Sequence, residues 1–558
     1  MKTSALIAAE LLVQHGVKRV VSSPGSRNAP LTEAINRCEG LQVTDVIDER
    51  AAAFVALGLA RQSRKPVALT CTSGTALLNY APAVAEAYYQ GVPLVVLSAD
   101  RPMQWIDQED SQTIRQAGAF NNIVKGSFDI PDFHETDKEM VWYATRSLNE
   151  AMLMCSSGKP GPVHINMQYN NPLSGQKVKE PQPRVVRQLN GEDDLNITLA
   201  KELAAELADK RVLIVAGFMP PDHKLSNKLR HFAMLPNVAI LAEAVTNLHL
   251  SEPGGIDRRI GMLDHDTLKS LLPDVVITIG GALISRKVKE WLRGAPASMQ
   301  HWSLSNASVL ADCFQHLNLR ITCSPVSFFA RLGRFLSAYH VRSDYGASWR
   351  KVSALAEKAN IAFMGGQSWC DIVAHSMIFN TIPEQWNVCC SNGTSIRYAE
   401  LFCKAGQQQL SCNRGTSGIE GCTSTAVGMA LATPQPTLLI SGDMSLRHDY
   451  GGLALPCVPG NFKIIVMNNG GGDIFRFIPS TATIEGLEEH FTLKNMMQQP
   501  LLEQAEALGY QYLSANSPES LRKVLKTLGS AHQKTILEVF TSPDVNASAL
   551  RNFLSPRI

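Results

Sequence analysis

Short apolar runs recur along this chain, each stopped by Gly, Ser, Asp or Asn and followed by a segment with helical spacing. Ser4 to Gln14 has that helical spacing, and Arg19-Val20-Val21-Ser22 predicts a short strand. Pro24-Gly25-Ser26-Arg27 predicts a turn entering a helix. A second strand is predicted over Gln42 to Ile47, meeting Asp48-Glu49-Arg50 and then the small-residue helix Ala51 to Ala60. Val67 to Cys71 is a third strand, closed by Thr72-Ser73-Gly74-Thr75. Val92 to Ser98 is a fourth, ending at Ala99-Asp100-Arg101-Pro102, and Gly161 to Asn166 is the last of this block. Helix–strand alternation with small polar residues at the strand ends predicts a parallel α/β sheet.

The alternation breaks between Asn171 and about Asp194, where Pro172, Gly175, Pro181 and Pro183 stand among charged residues, the composition of a linker. It resumes with strands at Arg211 to Ala216, Val238 to Leu241 and Val275 to Ile279. This smaller Rossmann-like block lacks a G-x-G-x-x-G, which favours a structural spacer over a dinucleotide site. Ser337 to Ser348 reads as a second linker. A third block follows, with strands at Leu438 to Ile440, Ile464 to Met467 and Thr535 to Phe540. The fold class is α/β: three doubly wound parallel-sheet domains, over residues 1–175, 195–338 and 350–558.

Composition changes this picture little. A chain of 558 residues is too long for one core. With 45% hydrophobic and 18% charged residues it is an ordinary globular protein. A formal net charge of +2 calls for neither nucleic acid nor an anionic membrane surface. The start is not read as a signal peptide, because Glu10 interrupts its apolar run and Gln14-His15-Gly16 reads as a helix end. No apolar run is long enough to span a bilayer. The twelve scattered cysteines, with no C-x-x-C, predict reduced thiols and a cytoplasmic location.

Candidate chemistry concentrates between Thr437 and Phe475. Two apolar strands there end at Gly442-Asp443 and at Asn468-Asn469-Gly470-Gly471. In a doubly wound sheet, ligands sit beyond such carboxyl ends. A carboxylate on Asp443, an amide oxygen on Asn469 and the carbonyl of Gly471 form an oxygen-only donor set suited to Mg²⁺. The N–H groups of Met444 and Ser445 would be placed to meet phosphate. Taken singly, Asp443 is equally an N-cap and the Asn-Gly run equally a turn. Glu49, at a strand-to-helix junction, is either a helix-terminal charge or a buried acid/base with a raised pKa. Val46-Ile47 and the Ala51-Ala52-Ala53 run would keep the latter site dry.

Asp443 precedes Asn469 by 26 residues, about one strand–helix–strand unit. The spacing resembles the diphosphate-anchoring signature of thiamine diphosphate enzymes, Gly-Asp-Gly followed by Asn-Asn, with Met444 in place of the third glycine. Pro24-Gly25-Ser26-Arg27, Asp48-Glu49-Arg50, Thr72-Ser73-Gly74-Thr75, Ala99-Asp100-Arg101-Pro102 and Gln112-Thr113-Ile114-Arg115-Gln116 resemble one branch of those enzymes, the MenD family of menaquinone biosynthesis. So do Asn413 to Gly421 and Asn468-Asn469 through Ile474-Phe475, in the same order along the chain.

The resemblance implies pyrimidine, middle and diphosphate domains, with thiamine diphosphate and Mg²⁺ (or Mn²⁺) as cofactors. It implies decarboxylation of 2-oxoglutarate and 1,4-addition of the resulting succinyl carbanion equivalent to isochorismate. Glu49, Arg27, Gln112, Arg397 and Arg414 take catalytic positions by motif. Ser26, Arg101, Arg286, Lys287, Ile474 and Phe475 take substrate positions. Pro24, Glu49, Gly393, Ser417, Ile419, Met444 and Ser445 take cofactor positions, Ile419 as the apolar wedge that bends it. The family's serine falls on Gly393, which leaves Thr394 or Ser395 to supply a hydroxyl. Substrates with several carboxylates require cations, and the arginine fork binds a carboxylate through two hydrogen bonds. In such enzymes the glutamate and the metal-binding aspartate come from different subunits, which implies a homodimer or a dimer of dimers. Another 2-oxoacid decarboxylase or carboligase of the same class, and a non-catalytic nucleotide-binding α/β protein, are the competing functions.

Overall fold

Parallel strands build three sheets, and each sheet's strand order contains a reversal that opens a crevice. The computed structural model describes residues 1–558 except 176–177, 190–193, 249, 251–253, 308, 404–407, 494–499 and 558. The first sheet contains β1 (Arg19–Ser22), β2 (Gln42–Asp45), β3 (Val67–Cys71), β4 (Leu94–Asp100), β5 (Ser127–Ile130) and β6 (Val163–Gln168). Their order is β2-β1-β3-β4-β6-β5. The second has β7 (Val212–Ala216), β8 (Val238–Ala242), β9 (Val275–Ile279), β10 (Gln300–Leu304) and β11 (Leu317–Ile321), ordered β11-β10-β9-β7-β8. The third has β12 (Asn387–Cys390), β13 (Gln409–Cys412), β14 (Thr437–Gly442), β15 (Phe462–Asn468), β16 (Gln511–Ala515) and β17 (Thr535–Phe540), ordered β13-β12-β14-β15-β17-β16. Strands β3, β4, β6 and β15 are buried along their whole length, as strands covered by helices on both faces must be.

In the first sheet the chain steps from β1 out to β2 and back to β3; in the third it steps from β12 out to β13 and back to β14. Each reversal opens a crevice at the carboxyl ends of the flanking strands, where α/β proteins bind ligands. The candidate segments that begin at Pro24, Thr72, Gly393 and Asp443 follow those four flanking strands.

The described residues divide into two compact units: Met1–Asn190, Asn413–Thr437 and Ser445–Phe462 form one, and Gly191–Cys412, Leu438–Met444 and Lys463–Ile558 the other. In the first unit, the helix Glu49–Ser63 is capped by Asp48, whose carboxylate accepts from the N–H groups of Arg50 (2.9 Å) and Ala51 (3.3 Å). Its alanine-rich face packs on the helix Cys422–Leu431. A Cβ on Gly58 would lie 2.0 Å from the Thr425 carbonyl, and one on Gly428 2.1 Å from that of Val55, so both glycines are needed for the approach.

In the second unit, Asn247 ties the middle sheet to the edge strand β13, accepting from Leu410 N (2.7 Å) and donating to Leu410 O (3.0 Å). Arg258 adds a two-pronged ion pair to Glu357 (2.9 and 2.7 Å).

Several boundaries differ from the pattern-based reading. The segment taken as a linker over Ser337 to Ser348 is shorter, because a helix runs over Tyr345–Gly365. Tyr345 and Trp349 are buried in the middle-sheet core, which pulls the helix start forward. The second strand stops at Asp45, leaving Ile47 outside it. Strands β5, β10, β11, β12, β13 and β16 were not foreseen. The twelve cysteines are free thiols. Among the described residues no helix is long and apolar enough to cross a membrane.

Candidate active site

In the first unit the crevice between β1 and β3 gathers a group of cations and amides. Arg27 N–H donates to the Thr72 hydroxyl (3.3 Å) and its guanidinium to the Tyr169 carbonyl (3.0 Å). Burial and the nearby charge of Arg101 hold Arg27 below the usual guanidinium pKa. Arg101, just past β4, donates to Asp110 (2.7 Å), to the Ser73 hydroxyl (3.2 Å) and to the Gln112 carbonyl (2.9 Å). The Gln112 amide donates to the Ser73 carbonyl (2.8 Å). Arg27, Arg101 and Gln112 therefore belong to one cluster, with Pro24 and Ser26 exposed on the same loop as Arg27. Arg27 and Arg101 bring two cations together beside Asp110, which holds Arg101 in an ion pair.

The turn Asn413–Ile419 belongs to the same unit and is pinned by a residue the sequence reading did not single out. The buried carboxylate of Glu86 accepts from Gly415 N (2.8 Å), Thr416 N (2.6 Å) and the Thr416 hydroxyl (2.8 Å). Arg61 donates to Asn413 (2.8 Å). These bonds fix the backbone on either side of Arg414. Ser417 has a left-handed φ of 65°. The Ser445 hydroxyl donates to the Ile419 carbonyl (2.8 Å), which brings two cofactor candidates together.

Glu49 opens the helix Glu49–Ser63, half-buried, with the Asn79 amide 3.5 Å from its carboxylate. The dry surroundings read from Val46-Ile47 are not met within one copy of the chain. Val46 is buried, but Ile47 is 81% exposed and Leu78, next to Asn79, 46% exposed. The strand ends before Ile47, so its side chain is released from the sheet.

In the second unit Asp443 begins the short helix Asp443–His448 directly after β14. Its Oδ1 accepts from Met444 N (2.7 Å), while its Oδ2 is buried and makes no hydrogen bond. The Met444 N–H, read as open to phosphate, is thus taken by Asp443, because a carboxylate at a helix start caps the nearest donor. Burial pushes Asp443 up to about 6; the Met444 N–H opposes the shift, the charge of Asp371 adds to it, and the N–H groups of Gly471 and Asn469 lie near enough to lower it without reaching hydrogen-bond geometry. Beyond β15, Gly470, Gly471 and Gly472 are all left-handed (φ 79°, 67° and 77°), a path closed to most side chains. The turn brings Gly471 N to the Asn469 amide oxygen (3.2 Å), and the Gly471 carbonyl accepts from Arg476 (3.1 Å). Phe475 packs on Phe491 with ring centroids 5.1 Å apart, and Ile474 is half-buried beside it.

The donor chemistry fits a small hard cation. A buried carboxylate oxygen without a hydrogen-bond partner is costly unless something neutralises it. Asp443, Asn469 and Gly471 present oxygen alone, and one carboxylate with neutral oxygens leaves coordination places for phosphate and water, as Mg²⁺ favours. Among the described residues no group of three or more His, Cys, Asp or Glu forms a metal cluster, in keeping with so sparse a donor set.

Gly393, at the carboxyl end of β12, has φ 98°, and a Cβ there would meet nothing within 4 Å. The position is open but set to a glycine backbone; Ser395 is buried and Thr394 half-buried beside it. Arg397 lies over the Phe477 ring (6.0 Å) and within reach of the charge of Asp257. Lys287 shares the field of Asp257, but its ammonium is spent on the carbonyls of Gly261 (2.7 Å) and Leu263 (2.8 Å). Arg286 is exposed and pairs with Glu290 (2.6 Å) on its own helix. Beneath them lie the buried carboxyls of Glu243, Glu400 and Asp257; burial and the Glu243 charge push Glu400 well up.

Asp371 and Asp473 were also missed. Asp371 bonds the Asn469 amide (2.8 Å), and Asp473 joins Arg476 (2.6 Å) and Asn546 (2.9 Å). Asp473 followed the glycine run in the sequence and was legible as a candidate; Asp371 had no motif around it.

Residues 1–119 match the family model described as thiamine pyrophosphate enzyme, N-terminal TPP binding domain. Together with three parallel sheets that each carry a switch point, the match defines the class: a thiamine diphosphate-dependent enzyme. Over 99% of its length the chain is 38% identical to the 2-succinyl-5-enolpyruvyl-6-hydroxy-3-cyclohexene-1-carboxylate synthase of Porphyromonas gingivalis, covering 97% of that protein. It is 35% identical to the synthase of the same name from Christiangramia forsetii, with 98% and 97% covered. For that of Desulfotalea psychrophila the identity is 34%, with 95% and 97% covered. The chain belongs to this family of 2-succinyl-5-enolpyruvyl-6-hydroxy-3-cyclohexene-1-carboxylate synthases, MenD.

Proposed function

We propose that the chain decarboxylates 2-oxoglutarate and adds the succinyl fragment 1,4 to isochorismate, giving 2-succinyl-5-enolpyruvyl-6-hydroxy-3-cyclohexene-1-carboxylate and CO₂ in menaquinone biosynthesis. The observation that carries this beyond family membership is the unpartnered Oδ2 of Asp443, buried beside the glycine turn that follows Asn469. Asp443, Asn469 and Gly471 would hold Mg²⁺ or Mn²⁺, which would offset the charge of the diphosphate of thiamine diphosphate. When bound, that cofactor supplies a carbon nucleophile and a sink for the electrons released with CO₂.

The protein's own groups do the rest. Glu49 hydrogen-bonds a ring nitrogen of the cofactor and moves a proton there. Ile419, Ser417, Ser445, Met444, Pro24 and Gly393 shape the cofactor's bed. Arg27, Arg101, Arg397 and Arg414 receive substrate carboxylates, with Gln112 and Ser26 as neutral donors and Ile474 and Phe475 as an apolar wall. Arg286, exposed and paired with Glu290 on its own helix, and Lys287, bonded to two backbone carbonyls, are the weakest members of this set, and Arg101 has to exchange its Asp110 partner for substrate. The working form is a homodimer or a pair of dimers in the cytoplasm, with Glu49 of one copy serving the Asp443 of another. Exposed Ile47 and Leu78 beside Glu49 support this, because a second copy would bury them. The domains run over residues 1–175, 195–338 and 350–558.

The test is CO₂ release from 2-oxoglutarate, with and without isochorismate, thiamine diphosphate and Mg²⁺. Coupled product requires all four. Turnover of pyruvate in place of 2-oxoglutarate would assign another carboligase of the class. The paired arginines Arg27 and Arg101 speak against that, since a small monocarboxylate has no use for so many cations.

A further inference from the structure

Asn469 carries a choice that its shape does not settle. The oxygen and nitrogen of a side-chain amide are nearly isosteric, so hydrogen-bond partners alone decide which one faces a site. Here two partners act in concert. The amide nitrogen donates to Asp371 Oδ2 at 2.8 Å, and the amide oxygen accepts from Gly471 N at 3.2 Å. Reversing the amide would set oxygen against the Asp371 carboxylate and N–H against N–H at Gly471. The first of these conflicts is the larger, because it involves a full charge.

Asp371 is itself held rigidly. It is 0% exposed and opens the helix Asp371–Thr381. Its Oδ1 accepts from the Thr541 hydroxyl (2.5 Å), and its N–H donates to the Asn546 amide oxygen (2.9 Å). Asn546 in turn donates to Asp473 (2.9 Å) and to the Thr541 hydroxyl (3.2 Å). The carboxylate that grips Asn469 therefore cannot swing away without breaking a buried network.

We propose that Asp371 is a positioning residue for the cation: it locks the Asn469 amide with its oxygen turned to the glycine turn. The proposal rests on Asp443, Asn469 and Gly471 being the cation's ligands. Residues that orient a ligand from behind are typically worth about 10- to 100-fold in metal affinity.

The test is Mn²⁺ binding to the full chain, read from the loss of the free-ion EPR signal, with thermal unfolding of each variant run in parallel. Asp371→Ala weakens Mn²⁺ binding by about 10- to 100-fold. Asp371→Asn keeps an acceptor for the Asn469 nitrogen and stays within about threefold of the wild type. Thr541→Val removes a support of Asp371 but leaves the amide lock, and Mn²⁺ affinity is retained. As a safeguard against poor folding of the alanine variant, Asn469→Asp is compared with the swapped pair Asn469→Asp/Asp371→Asn. The single variant sets two carboxylates face to face and binds weakly; the swap restores a donor–acceptor pair and regains affinity. Mn²⁺ affinity unchanged in Asp371→Ala, or no recovery in the swap, overturns the role of Asp371. A wild-type chain that binds no Mn²⁺ overturns the ligand set itself, and the inference with it.

Discussion

The two halves of the proposed site are built to different degrees of completion within one copy of the chain. Around Asp443 and Asn469, nearly every polar group has a partner inside the second unit: Asp371, Thr541, Asn546, Asp473, Arg476 and Glu488 form one bonded network. The notable gap is Asp443 Oδ2. Around Glu49, in the first unit, the glutamate meets a single distant amide, and its apolar neighbours Ile47 and Leu78 face outward. An anion-and-cation anchor demands preorganised charge, which a rigid turn supplies locally. A proton-transfer site demands a dry wall; among the described residues Val46, Cys71, Tyr80 and the alanine face of the helix are buried near Glu49, while Ile47 and Leu78 are exposed. The contrast teaches that the bonded network of the proposed anchor closes within the second unit, whereas the proposed acid/base end is left open in one copy and would be completed by a second surface.

The sharpest way to break the contrast is at the anchor. Asp443→Ala removes the sole carboxylate of the proposed cation site, and cofactor retention in Mg²⁺ falls by on the order of 10³-fold with turnover lost alongside. Titration with thiamine diphosphate, followed by intrinsic fluorescence, reads this directly. Retained affinity would move the anchor elsewhere. Next comes Glu49→Gln, which lowers kcat by about 10²- to 10⁴-fold while leaving cofactor affinity close to wild type. Near-normal turnover would strip Glu49 of its part, and lost cofactor affinity would merge the two halves that the comparison separates.

Smaller effects sharpen the picture. Arg27→Ala raises KM for one carboxylate substrate by roughly 10- to 100-fold, the worth of charge-assisted hydrogen bonds. Equal KM values for both substrates would take Arg27 out of the receptor group. Ile47→Asp tests the second surface: burying a carboxylate where an isoleucine belongs weakens self-association, seen as a shift toward monomer in sedimentation velocity. The cofactor anchor is untouched by this change, so loss of turnover should track loss of the dimer.

How much of this was legible in the sequence follows the range of the interactions. Strands β3, β14, β15 and β17 were readable because each is a buried, mostly apolar run, broken only by single polar or charged positions such as Lys463 and Glu538. Strands β11 and β16 are half-exposed at sheet edges, and β10 carries His301 and a glutamine, so their pattern resembles loop. Asp443 and Asn469 were visible since the glycines and the strand ends mark them locally. Glu86 and Asp371 act across 329 and 98 residues of chain, and no local pattern announces a carboxylate that bonds so far away. Ile47 was misjudged for a related reason: alternation assigned it to a strand, but the strand stops two residues earlier, where Asp48 begins to cap the next helix.

The smallest expected effect tests whether buried charge in the second unit belongs to the anchor or to the fold. Asp257 lies beneath Arg397 and Lys287, and burial, reinforced by Glu243, pushes it up to about 6 from its ordinary value near 3.8. A raised carboxyl pKa means the folded state takes up this proton before the unfolded chain does. Its ionised form therefore costs stability at neutral pH, and that cost disappears as pH falls from about 6 to about 4. Asp257→Asn keeps the hydroxyl contact from Ser285 and removes the charge. The variant gains on the order of 1 kcal/mol at pH 8, the balance of burial and the Glu243 charge against the attraction of Arg397 and Lys287. The gain shrinks toward zero near pH 4. Thermal unfolding across that range, without cofactor, measures it. A variant less stable than wild type at pH 8 would show that the two cations outweigh burial, and would bring Asp257 into the substrate-facing charge set with Arg397.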